Sequence, residues 1–155
     1  MNYFLDTEFN GFGGELISLA LVCEDGREIY LATKCERPVE WVKENVLPII
    51  DCEGAVAFHI ELSVFGLCIA AFLRDGGGIP TIVADWPDDI KYFCQALITG
   101  PGEMVNLSRL QFQLRRVDAY PTELPGAVQH CALWDARALQ AKLTRRGLPP
   151  GVHQP

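Results

Sequence analysis

The stretch Asn2-Tyr3-Phe4-Leu5-Asp6-Thr7-Glu8-Phe9-Asn10-Gly11 opens on an apolar run, reaches one acid, skips a residue to a second and breaks at Asn-Gly. It reads as a β-strand that delivers two carboxylates to its end. Side chains alternate across a strand, so Asp6 and Glu8 point to the same face. Two like charges on one face repel unless a cation lies between them, and Mg²⁺ or Mn²⁺ favours such hard oxygen ligands.

Working outward, Gly11-Phe12-Gly13-Gly14 is a loop, because three glycines in four positions disfavour any regular element. Residues 15–23 form a strand apolar enough to be central in a sheet, Asp25-Gly26 marks a hairpin turn, and 28–33 return as a third strand. The first 33 residues thus predict a three-stranded antiparallel meander. A helix starts at Pro38 and stops near Pro48. A second spans about 60–73, with Phe65, Ile69 and Leu73 at helical spacing before Gly76-Gly77-Gly78. Residues 80–84 are a short buried strand, followed by the acidic turn Asp85-Trp86-Pro87-Asp88-Asp89 and a helix through Ile90, Tyr92, Phe93, Leu97 and Ile98. Met104-Val105 is read as a last short strand, and the segment to about Pro125 is poorly patterned. Ala132, Ala136, Leu139 and Leu143 then form one stripe of a helix running to about Arg146.

With 155 residues, 49% hydrophobic and 21% charged, the chain has the balance of one globular domain rather than of a disordered protein. One domain over 1–147 is expected, with 148–155 as a loose C-terminal tail. No apolar run approaches the roughly 18 residues that cross a bilayer, and the start lacks the basic region of a secretory signal. A cytoplasmic protein without a membrane partner is therefore expected. Cys23, Cys35, Cys52, Cys68, Cys94 and Cys131 contain no C-x-x-C pair, which favours reduced, mostly buried thiols over a disulfide framework or zinc site. The net charge of −7 argues against gripping nucleic acid by bulk positive charge. The balance is uneven, however: residues 1–100 carry 6 Lys+Arg against 16 Asp+Glu, and 101–155 carry 7 against 4, so polyanion contacts are expected in the C-terminal third.

Chemistry-bearing residues gather at element ends. Asp6 and Glu8 close the first strand, Asp85, Asp88 and Asp89 follow the strand at 80–84, and the final helix brings Asp135 five residues after His130. Cleavage of a phosphodiester by two divalent ions needs such a set, because carboxylates must hold the ions about 3.5–4 Å apart. A neutral histidine beside the attacking water is the general base. Each signal is weak alone. Asp51-Cys52-Glu53 repeats the D-x-E spacing, Asp88 and Asp89 suit a helix N-terminus, and of His59, His130 and His153 only His130 has an Asp five residues on. Five helical residues turn roughly 500°, about 140° away from the starting face, so His130 is placed in the loop entering the helix and Asp135 one turn inside. Phe9, Phe12 and Trp86 lie beside the site and could stack on bases. Arg109, Arg115, Arg116 and Arg137 could meet phosphates, Arg137 being nearest the His–Asp motif.

As a set these residues resemble the DEDDh exonucleases, the RNase T-like 3′–5′ exonuclease superfamily with an RNase H-like fold. Asp6-Thr7-Glu8-Phe9-Asn10-Gly11 resembles the first motif, and His130-Cys131-Ala132-Leu133-Trp134-Asp135-Ala136-Arg137 resembles the third. Asp85-Trp86-Pro87-Asp88-Asp89 has the spacing of the second, with Asp85 in place of the usual Asn; this leaves Asp85 and Asp88 as rivals to Asp89. Cys131 also departs, standing where an acid is common. The likeness spans nearly the whole domain and is greatest to the small single-domain exoribonucleases of bacteria and phages. It implies an α/β fold with a mixed five-stranded sheet, antiparallel over strands 1–3 and parallel beyond, flanked by helices. It further implies two Mg²⁺ or Mn²⁺ held by Asp6, Glu8, Asp89 and Asp135, with His130 as base and Phe9, Asn10, Asp85 and Arg137 toward substrate. The expected activity is release of nucleoside 5′-monophosphates from single-stranded 3′ ends, RNA before DNA, in a chain whose relatives often work as homodimers. The competing expectations are a non-catalytic nucleic-acid-binding module and a phosphodiesterase on very short oligonucleotides.

Overall fold

The computed structural model describes residues 1–107, 109–117 and 124–145, with Arg145 described in its backbone alone. Strands β1 (Asn2–Phe9), β2 (Leu16–Cys23) and β3 (Glu28–Ala32) form the antiparallel meander read from the sequence. Helix α1 (Glu40–Asn45) and a 3₁₀ turn (Leu47–Ile49) follow, then the two-residue strand β4 (Phe58–His59) and helix α2 (Leu62–Arg74). Strand β5 (Thr81–Ala84), helix α3 (Pro87–Ala96), strands β6 (Ile98–Gly100), β7 (Glu103–Met104) and β8 (Gln111–Leu114), and helix α4 (Ala132–Arg145) complete the described chain.

The main sheet runs β4-β3-β2-β1-β5-β8, so β1 lies near its middle, antiparallel to β2 and parallel to β5. This is an α/β architecture with a mixed sheet between helices, consistent with an RNase H-like fold. Six strands stand where five were expected. The extra members are edge strands: β4 is two residues long, and Gln-Phe-Gln-Leu in β8 is exposed throughout. Pairing with β5, from Thr81–Gln111 to Ala84–Leu114, makes β8 a strand. Met104, expected in the sheet, instead pairs with Ile98 in a separate β6–β7 ribbon, and α3 accordingly stops at Ala96. The tail expected at 148–155 and the boundary at 147 lie outside the described residues, as do residues 108 and 118–123 of the poorly patterned segment.

Alternation along β1 divides the core into two layers. Tyr3 and Leu5 face α2 and α3, packing with Phe65, Ile69, Tyr92 and Phe93. Phe4 faces the other way, onto Val83 and Leu139 of α4. Ala20, Val22 and Tyr30 join that second layer with Val42 of α1 and Ala132, Leu133 and Ala136 of α4. Gly66 allows α2 to approach the end of α3, because a Cβ there would come within 2.7 Å of the Ala96 carbonyl oxygen. All six cysteines are free thiols, but only Cys23 and Cys131 are fully buried. Among the described residues no helix is long and apolar enough to cross a membrane.

Candidate active site

Strand register brings the acids together. β1 and β5 pair in parallel up to Phe4 and Val83, and Asp6 and Asp85 each lie two residues further, so both emerge level and on the α4 side of the sheet. Glu8 follows on the same face, just before an irregularity in the β1–β2 register at Glu8–Phe9. Asp135 is in the first turn of α4, packed on that face. Asp89 arrives from the opposite layer, in the first turn of α3 behind Pro87.

Two sets of three carboxylates result. Asp6, Asp85 and Asp89 form one and Asp6, Glu8 and Asp135 the other; within each, one oxygen per residue lies within 4.8 Å of the rest. Asp6 is common to both. Asp88, the third candidate of the acidic turn, is turned outward: Trp86 Nε1 donates to its Oδ2 at 3.0 Å, and Lys91 Nζ lies 3.6 Å from Oδ1.

Such crowding strongly disfavours ionisation. Burial, followed by repulsion from the other acids, raises the carboxyls of Asp6 and Glu8 well above the usual range. Burial likewise pushes Asp89 and Asp135 up to about 7; donation from Thr7 opposes this at Asp89, and backbone N–H groups of His130 and Cys131 oppose it at Asp135. Asp85 is raised by burial, with Arg116 pulling the other way. Five acids with raised pKa values, set at the adjoining ends of two strands and two helices, form a set of hard oxygen donors suited to divalent cations.

His130 precedes α4 with φ 64°, alone among the described non-glycine residues in having a positive φ. For a side chain with a Cβ this conformation costs about 1–2 kcal/mol, and such strain is concentrated at functional sites. Burial lowers its pKa, favouring the neutral imidazole. Its ring meets Trp41 of α1 edge-on, with centroids 5.1 Å apart and planes at 83°.

Asp6, Glu8, Asp89, His130 and Asp135 all line one cleft of about 640 Å³. Phe12, Trp41 and Trp86 also line it and are 83%, 52% and 39% exposed, so that three aromatic side chains open onto the one cleft. Phe9 is in the lining too, stacked on Tyr92 with centroids 4.6 Å apart. Trp41 escaped the sequence reading because, within a helix, it looks like one more member of an apolar stripe. Of the residues expected toward substrate, Phe9 is in this lining, and Asn10, Asp85 and Arg137 are not. Asn10 ties down the neighbouring loop, donating to the Arg37 carbonyl and accepting from Val39 N–H. Arg137 makes a bidentate pair with Glu28, donates to the Gly54 carbonyl at 2.8 Å, and stacks over Trp134. Arg116 lies beside the acidic turn: its guanidinium is 4.1 Å over the Trp86 ring and donates to the Asp85 carbonyl at 3.3 Å.

No family model matches the chain. It is 49% identical over 106 residues, 65% of this chain, to proteins named 3′-5′ exoribonuclease in two strains of Mycobacterium tuberculosis, CDC 1551 / Oshkosh and H37Rv. The match covers 62% of each of those proteins, so the chain spans less than two thirds of the curated relatives' length.

Proposed function

We propose that this protein is a metal-dependent 3′–5′ exoribonuclease that releases nucleoside 5′-monophosphates from single-stranded ends. The observation that carries the reading is the pair of carboxylate sets sharing Asp6, with His130 on the wall of the same cleft. The names of the mycobacterial relatives favour RNA over DNA.

The donor chemistry fits two Mg²⁺ or Mn²⁺ ions. Asp6, Glu8 and Asp135 would hold one, and Asp6 and Asp89, with Asp85 beside them, the other. Bound there, the ions would supply Lewis acidity toward the scissile phosphate and its leaving oxygen. The protein's own groups do the rest. His130, neutral through burial, accepts the proton of the attacking water on a ring nitrogen, while the edge of Trp41 restricts the swing of the imidazole. Phe12, Trp41 and Trp86 offer faces on which unstacked bases can lie. Arg116, held over the Trp86 ring, presents its remaining N–H donors to a backbone phosphate. With the cleft otherwise acidic, this cation offsets part of the repulsion of a polyanion.

Incubating the protein with 3′-end-labelled and 5′-end-labelled single-stranded RNA in Mn²⁺ tests the proposal. Stepwise shortening from the 3′ end with mononucleotide products is expected, and chelation should stop it. Absence of mononucleotides, or equal release by His130→Ala, would sink the mechanism; activity confined to dimers and trimers would favour a short-oligonucleotide phosphodiesterase.

A further inference from the structure

We infer that Thr7 is a positioning residue that aims Asp89 around the end of the sheet toward the acids on the opposite face. The inference rests on the cluster binding divalent cations and not on RNA being the substrate.

Asp89 starts on the wrong side. Asp6, Glu8 and Asp85 share the α4 face of the sheet, whereas α3, which carries Asp89, packs on the other face with Tyr3 and Leu5. Thr7 has the parity of Tyr3 and Leu5, so its side chain points away from Asp6 and Glu8 and toward α3. There its hydroxyl donates to Asp89 Oδ1 at 2.7 Å, and its backbone N–H donates to the same oxygen at 3.1 Å. Both partners are buried, Thr7 at 5% exposure and Asp89 at 3%. Two donors on one oxygen fix the plane of the carboxyl group. They leave Oδ2 without a protein hydrogen bond among the described residues, and Asp89 takes its place beside Asp6 and Asp85.

The residue between the two acids of the opening strand thereby couples the two helical layers of the site. Leu or Ile at position 7 would fill the volume but orient nothing. A β-hydroxyl does both, and a backbone donor alone leaves the carboxyl free to rotate about that one hydrogen bond. Thr7 makes no hydrogen bond to Glu8 or Asp135, so its influence falls on the Asp6–Asp85–Asp89 set and spares the other.

Calorimetric titration with Mn²⁺ alone tests this on wild type, Thr7→Val, Thr7→Ala and Thr7→Ser, with circular dichroism and melting as folding controls. Partners that orient a metal ligand are typically worth about 10–100-fold in metal affinity. Thr7→Val, of nearly the same shape but without the donor, is expected to weaken one binding event by about that factor and leave the other within about twofold. Thr7→Ser should bind like wild type. Val and wild type binding alike overturns the inference, as does equal weakening of both events. Where Thr7→Val does not fold, the Ala and Ser variants decide: Ala losing one event while Ser keeps both supports it, and any other pattern overturns it. Wild-type protein that binds Mn²⁺ but releases no mononucleotide overturns the exoribonuclease reading and leaves Thr7 standing; wild type that binds no Mn²⁺ overturns both.

Discussion

His130 brings together two properties that seldom coincide in a surface loop: a left-handed backbone and an imidazole kept neutral by burial. General-base catalysis by a positioned side chain contributes roughly 10²–10⁴-fold, so His130→Ala is expected to lower kcat by about that factor with little change in KM. Single-turnover RNA degradation separates the two constants. Arg116 belongs to the same scale and acts differently, because it would touch substrate in the ground state and the transition state alike. Arg116→Gln is expected to raise KM about three- to tenfold at unchanged kcat, as for the loss of one charge-assisted hydrogen bond. An unchanged KM would remove Arg116 from the substrate path. Sequence singled out His130 through its distance to Asp135. Arg116, by contrast, stood behind Arg137 among four candidate arginines, because its place over Trp86 depends on the pairing of β8 with β5.

At the scale of elements, α4 must be held in register for Asp135 to reach Asp6. Its apolar stripe was legible from Ala132, Ala136 and Leu139, which pack where that spacing implies. The polar fastening was not legible. Arg137 extends from α4 to Glu28 on β3 and to the Gly54 carbonyl, a partly buried bidentate pair with side-chain exposures of 22% and 29%. Arg137→Ala is expected to destabilise the fold by about 1–3 kcal/mol and to leave KM for RNA within about twofold. Urea denaturation and initial rates, measured side by side, distinguish a fastening of the fold from a phosphate contact: an intact midpoint with a raised KM would reverse the assignment. The edge strands teach the same lesson. β4 has only two residues, and the alternation of Gln-Phe-Gln-Leu in β8 buries neither face; they are strands because neighbouring backbones need partners.

For the whole molecule, the acid cluster sets a pH dependence of the metal-free state. Asp6, Glu8, Asp85, Asp89 and Asp135 all hold protons more tightly folded than unfolded. Stability from these groups is therefore present at low pH and is lost as pH rises from the unfolded carboxylate range of about 4 through the folded values, about 7 for Asp89 and Asp135. His130, with a lowered pKa, works in the opposite sense below about 6.5, one group against five. Asp25 and Asp51 are lowered by hydrogen bonds, and their effect falls below about pH 4, outside this window. In EDTA the melting temperature is expected to fall between pH 5 and about 7.5, and Mn²⁺ is expected to restore it most at the upper end. A chelated protein that becomes more stable over that range would contradict the clustering of the acids.

The sequence by itself determined what is local or periodic: the antiparallel meander, the helices with buried stripes, and two acids on one face of β1. Spacing also put His130 at a helix entrance with Asp135 one turn inside. Only the tertiary structure decided which two acids of the turn at 85–89 gather with Asp6 while Asp88 turns outward, which arginine lies over Trp86 of the cleft, and how Asp89 crosses from one layer to the other. Those outcomes depend on the parallel register of β1 and β5 and on a hydrogen bond between residues 82 positions apart. No local propensity encodes a contact over that distance; it exists only once the two layers have closed on the sheet.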